Sequence, residues 1–111
     1  MAGAGEIVEA EVAGWQGVTA HPHRFGGIEY RLGKIELGHV HGDVLADLPF
    51  PKRLRDELVE SGRASPHHVL PDSGWISYRI SGNEGALAVI ELFRMNYERV
   101  MARRSPQPER S

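Results

Sequence analysis

From Gly17 to His41 polar and apolar residues alternate with a period near two, broken by Phe25-Gly26-Gly27 and by Gly33-Lys34. Such alternation sends successive side chains to opposite faces of a strand. Glycine accepts the positive φ that tight turns require. The pattern predicts three strands, Val18 to His23, Ile28 to Leu32 and Ile35 to His41, paired as an antiparallel meander. A sheet of this kind must bury one face against another layer. The C-terminal third supplies that layer, because Ala86, Val89, Ile90, Phe93, Tyr97 and Val100 form one helical stripe. Ser81-Gly82-Asn83-Glu84, with capping-box spacing, starts the helix.

The remaining segments fill in the order. Residues 5–13 predict a first helix with Ile7, Val8 and Val12 inward and Gly14 as its stop, followed by Trp15 as an anchor under the sheet. Asp43 to Phe50 reads as a fourth strand or an extended connection. Pro51 suits the first turn of a helix running to about Ser61. His67 to Leu70 and Trp75 to Ile80 read as a strand pair joined by the turn Pro71-Asp72-Ser73-Gly74. The fold class is α+β, an antiparallel sheet of five to six strands with helices on one face, in the order α-β-β-β-(β)-α-β-β-α. Residues 1–104 form a single domain and 105–111 a disordered tail.

Composition narrows the functions. A chain of 111 residues with 41% hydrophobic and 25% charged residues suits one globular core. It has no cysteine, which removes disulfides, thiol catalysis and every Cys-based metal site. That usage suits a reducing compartment, and with no signal-peptide pattern and no apolar run of membrane length the expected location is cytoplasmic. The net charge of −2 argues against a phosphate backbone as the main partner, although eleven of the thirteen basic residues are arginine.

All six histidines fall in doublets: His21 and His23, His39 and His41, His67 and His68. In a strand, positions i and i+2 share a face about 6.5–7 Å apart. His39 and His41 therefore present two imidazoles together, and Asp43 continues their parity if Gly42 does not flip it. Such a set suits a proton relay near neutral pH or a divalent metal. Ile35 and Leu37 share the same parity, so the competing account is a core face running out to a wet rim. Without a fixed third or fourth ligand, a histidine-lined pocket holding no metal or cofactor is preferred. His21 and His23 share a face in the same way, with Arg24 adding a planar cation suited to anions.

Strand parity lets only one of His67 and His68 join a given pocket. Asp72 and Ser73 suggest an oriented imidazole and a nucleophile, but no G-x-S-x-G elbow surrounds Ser73, and a turn built by their side chains explains them as well. Trp75 reads as a core or pocket-wall aromatic. Glu29 and Glu36 fall on the polar parity of their strands and read as solvated.

Several blocks together resemble a known family. They are Gly17-Val18 through His23-Arg24-Phe25-Gly26-Gly27, Glu36-Leu37-Gly38-His39-Val40-His41-Gly42-Asp43, Asp47-Leu48-Pro49-Phe50-Pro51, His67-His68-Val69-Leu70-Pro71-Asp72-Ser73-Gly74-Trp75, and Tyr97-Glu98-Arg99. In this order, over about residues 10–100, the chain resembles the small bacterial proteins of the luciferase-domain family. The resemblance implies no role for any single residue, and its label would suggest cofactor-free oxidation as one activity. The large (β/α)₈ barrel of a flavin-dependent luciferase is excluded by length. At fold level the element order also looks like the MmcQ/YjbR group, some members of which are proposed to bind DNA. A cupin is excluded, since no matching histidine follows Pro71 to Gly74 and two long helices intrude.

The resulting expectation is a pocket domain for a small organic or anionic ligand. Its catalytic wall is His39, His41, Asp43 and His68, and its binding residues are His21, His23, Arg24, His67, Asp72, Ser73 and Trp75. The competing expectations are a non-catalytic interaction module, for instance a homodimer, and weak nucleic-acid binding through the arginines.

Overall fold

The computed structural model describes residues 2–104, so the expected tail at 105–111 lies outside the described residues. Helix α1 (Ala4–Val12) precedes three strands, β1 (Val18–His23), β2 (Gly27–Leu32) and β3 (Ile35–His41), with a single helical turn at Arg24–Gly26. Strand β4 (Leu45–Pro49), helix α2 (Lys52–Glu60), strands β5 (Ser65–Pro66) and β6 (Trp75–Arg79) and helix α3 (Gly82–Arg104) complete the chain. The six strands form one sheet in the order β1-β2-β3-β4-β6-β5, antiparallel throughout. The class is α+β, and the meander formed where the alternation placed it.

One face of the sheet carries the core. Tyr30, Val40, Ala46, Leu48 and Ile76 are buried there with Val8 and Val12 of α1 and Val89, Leu92 and Phe93 of α3. The Tyr30 and Phe93 rings meet edge to face at 5.4 Å. Asn96 of α3 is fully buried and donates from Nδ2 to the carbonyls of Leu37 and Pro49, 2.9 Å each, while its Oδ1 accepts from Arg99. This side chain joins the helix to β3 and β4 and leaves no polar atom stranded in the core.

Strand β3 departs from simple alternation. Tyr30 pairs with Gly38 but Arg31 pairs with Glu36, so β3 carries one extra residue, a bulge at Leu37. Leu37 is fully buried in the core, whereas Glu36 and His39 share the other face and are hydrogen-bonded to each other. The expected single face running from Ile35 and Leu37 to His39 and His41 is thus corrected: the bulge re-aims the strand partway along. Gly38 makes it possible. Its φ is +153°, and a Cβ there would stand 2.7 Å from Cγ of Leu48 and 3.0 Å from Cε1 of Phe93.

Trp15 packs against the edge of the core, on Tyr97 at 5.2 Å and beneath the Arg94 guanidinium, and its indole N–H donates to Glu11. One further expectation changes. His67 to Leu70 is not a strand. The ladder stops at Pro66, and Nδ1 of His67 accepts hydrogen bonds from the amides of Val69 and Leu70, both 3.1 Å, turning the chain into a loop.

Candidate functional site

The sheet face opposite the core carries a polar row across five strands. His21 pairs with Glu29, Glu29 with His39, His39 with Asp47, and Asp47 with Ser77. Antiparallel partners stand directly opposite one another on the same face. His41, two residues along β3 from His39, lies beside this row, and His23 lies two residues along β1 from His21. The 67–74 loop and the Arg24–Gly26 turn border them. Together they line an open cavity of about 450 Å³ that takes in His23, Glu36, His39, His41, Asp47, His67 and His68, together with Trp75, Arg24, Phe25, Val69 and Leu70.

Asp47 is the centre. It is 1% exposed, and its Oδ1 accepts a 2.6 Å hydrogen bond from the Ser77 hydroxyl. Its Oδ2 stands 3.2 Å from Nε2 of His39 and 3.5 Å from Nε2 of His41. Nε2 of His67 lies 3.7 Å from Oδ1 and Nδ1 of His68 lies 4.0 Å from it. A second tier of carboxylates holds two of the imidazoles from behind: Glu36 bonds Nδ1 of His39 at 2.6 Å and Glu29 bonds Nδ1 of His23 at 3.0 Å. The rings are packed against one another, His23 on His39 at 3.9 Å, His39 on His41 at 5.0 Å and His67 on His68 at 4.4 Å.

The environment pulls the titrations apart. Burial alone would lower the pKa of His39, but the hydrogen bonds to Asp47 and Glu36 outweigh it and raise this imidazole to about 9. Burial and then the charge of His39 lower His41. Burial also lowers His67, against the attraction of Asp47. For Asp47, burial opposes ionisation, yet the bonds from His39 and Ser77 hold its carboxyl below the ordinary value. One imidazolium therefore sits on an ionised carboxylate, with the neutral form favoured at His41 and His67.

The structure brings together His23, Arg24, His39, His41, His67, His68 and Trp75 from the expected set. Both His67 and His68 join, because the segment is a loop and strand parity does not govern it. His21 stands outside the lining, bonded to Thr19 at 2.8 Å. Asp43 is also elsewhere: its Oδ1 accepts from the Gly5 amide at 2.7 Å, tying the β3–β4 turn to the start of α1. Asp72 and Ser73 do not line the cavity, and Ser73 builds the turn, donating to the Leu70 carbonyl and accepting from the Trp75 amide. Asp47, Ser77, Glu29 and Glu36 were missed. The signal for Asp47 was present, since Leu45-Ala46-Asp47-Leu48 puts a carboxylate inside an otherwise apolar strand, where it needs a partner.

A metal has two candidate donor sets among the described residues, His23 with His39 and His41, and Asp47 with His67 and His68, the ligand atoms of each lying within 4.8 Å of one another.

Comparison with protein families places the chain. The family model described as Luciferase domain matches residues 34–96, more than half of the sequence. The chain belongs to the luciferase-domain family. No curated protein and no solved structure matches it, and the likeness to the MmcQ/YjbR group is not shown. The matched luciferase-domain segment holds Glu36, His39, His41, Asp47, His67, His68, Trp75 and Ser77, while His23, Arg24, Phe25 and Glu29 precede it. No helix among the described residues is long and apolar enough to cross a membrane.

Proposed function

We propose that this domain binds a small organic anion in the histidine-lined cavity and transfers a proton on it. The observation that carries this reading is the convergence of five imidazoles and one buried carboxylate on a single cavity of about 450 Å³. Small-molecule sites are typically concave, largely apolar and supplied with a few convergent polar groups. Here Phe25, Val69 and Leu70 are exposed apolar residues at the border, Trp75 is a wall, and Arg24 provides a fixed positive charge.

His67 and His68 are the residues proposed to handle the proton. Nδ1 of His67 accepts two backbone N–H bonds, so the neutral ring carries its proton on Nε2, facing the cavity floor. His68 stacks on it, half-exposed at the opening, where a ligand reaches it. Asp47 fixes the polarity of the floor.

Trp15 and Trp75 are the two tryptophans, so Trp15→Phe leaves Trp75 as a fluorescent reporter inside the cavity. Titration of this variant with small carboxylic and phosphonic acids should give saturable quenching that weakens in Arg24→Ala and His68→Ala. Amide chemical shifts that cluster outside the cavity for every binding acid would sink the reading.

A further inference from the structure

We propose that His39, His41 and Asp47 form the core of a divalent transition-metal site, with His23 as a fourth donor and an open position toward the cavity. The proposal goes beyond the ligand pocket and does not depend on it.

The spacing fits one ion. Two donors each about 2.0–2.2 Å from a common metal stand about 2.8–3.6 Å apart at octahedral or tetrahedral angles. Oδ2 of Asp47 lies 3.2 Å from Nε2 of His39 and 3.5 Å from Nε2 of His41. His23, His39 and His41 also offer ligand atoms within 4.8 Å of one another. His23 is stacked flat on His39 at 3.9 Å, so it joins by turning its ring out of the stack.

The atoms behind the donors fit as well. A metal-bound imidazole usually gives its other nitrogen to a carboxylate, which fixes the ring and raises its basicity. Glu36 holds Nδ1 of His39 and Glu29 holds Nδ1 of His23, so an ion takes the place of the Nε2 proton that His39 directs at Asp47 and meets Nε2 of His23. Ser77 occupies Oδ1 of Asp47 and leaves Oδ2. Three carboxylates thus gather around the two imidazoles, on a strand face where Asp47 is 1% exposed.

The alternative set, Asp47 with His67 and His68, fits less well. Nδ1 of His67 accepts from the amides of Val69 and Leu70, so the proton of the neutral ring sits on Nε2, the atom facing Asp47. A metal there would have to take the only ring proton and leave an imidazolate, whereas His39 gives up its Nε2 proton and remains a neutral ring with Nδ1–H on Glu36. Imidazole with carboxylate favours zinc, iron, cobalt or nickel over calcium and magnesium, which prefer oxygen donors throughout.

The test uses tag-free protein, stripped by chelator and titrated with Co²⁺ followed optically and with Zn²⁺ by calorimetry. One equivalent should bind at micromolar affinity or tighter. His41→Ala should weaken binding by more than about 100-fold and Glu36→Gln by about 10–100-fold. His21→Ala and His68→Ala should leave it unchanged. Circular dichroism checks that each variant folds, and His41→Gln replaces His41→Ala if the alanine variant does not. Substoichiometric or millimolar binding overturns the proposal, as does affinity equal to the parent's in a folded His41 variant or a loss on His21→Ala. Quenching of Trp75 by organic acids in the stripped protein reads the pocket separately, so either idea can fall alone.

Discussion

The Ser77 hydroxyl donates to Oδ1 of Asp47 at 2.6 Å, across two neighbouring strands and deep inside the sheet. This bond decides which carboxylate oxygen remains for His39 and His41. With Oδ1 occupied, Oδ2 is the atom that faces His39 and His41.

Ser77→Ala should cost about 1–3 kcal/mol, because it strips a partner from a buried charged acceptor. Asp47→Ala should cost about 3–5 kcal/mol, since it leaves the His39 imidazolium without its buried counter-charge. Urea unfolding of both single variants and the double variant checks this. The two costs should be clearly less than additive, because both act on one bonded pair; full additivity would disconnect the pair.

Stability of the metal-free protein should depend on pH in opposite senses on the two sides of neutrality. His39 is raised from an ordinary value of 6.5 to about 9 in the fold. Its contribution is complete below pH 6.5 and is lost as pH rises toward 9, a change of up to about 3 kcal/mol. His41 and His67 are lowered, so their contribution is present above 6.5 and fades as pH falls below it. In His39→Gln the loss on the alkaline side should disappear. Unfolding midpoints measured from pH 5 to 9.5 decide the matter.

Gly38→Ala should destabilise the domain by about 2–4 kcal/mol, through a strained φ together with overpacking. The added methyl would meet Cγ of Leu48, the Asp47 carbonyl and the Phe93 ring within 3.0 Å. Because Gly38 sits between Leu37 and His39, the same change should disturb the imidazole signals of His39 and His41 in an NMR spectrum. Unshifted imidazole signals would separate the bulge from the site.

Asn96→Leu should cost about 1–3 kcal/mol by leaving the carbonyls of Leu37 and Pro49 unpaired in the core. Thermal unfolding measures it, and a variant as stable as the parent would mean that the helix docks without this polar link.

Phe25 is 94% exposed and holds a left-handed conformation at φ 58°, ψ 35° on the border of the cavity. A non-glycine residue there costs roughly 1–2 kcal/mol. Phe25→Gly should therefore leave stability unchanged or slightly raised while weakening the quenching of Trp75 by organic acids. Reduced stability with unaltered binding would show that the ring serves the fold.

Much of the molecule was legible beforehand for local reasons. The meander, the Pro51 start of α2 and the stripe of α3 each rest on periodicity and turn chemistry within a few residues. The histidine doublets marked the right face of β1 and β3. Asp43 enters the expected set because it continues the parity of His39 and His41, and parity along one strand carries no information about Asp47. Asp47 reaches both His39 and His41 only through pairing of β3 with β4. Glu29 and Glu36 read as solvated because their strands show alternation alone, and alternation cannot distinguish a wet face from one covered by a distant loop.

The amino-acid order determined which segments alternate, where glycine and proline interrupt them, and which residue types are available for chemistry. Tertiary structure decided which of those residues meet. A one-residue bulge at Leu37 sent Leu37 to the core and put Glu36 beside His39 on the other face, and the 67–74 loop brought His67 and His68 to Asp47 together. The reason is physical: a side chain's face is local, but its counter-charge is supplied by whichever strand lies alongside, and strand pairing is a property of the whole chain.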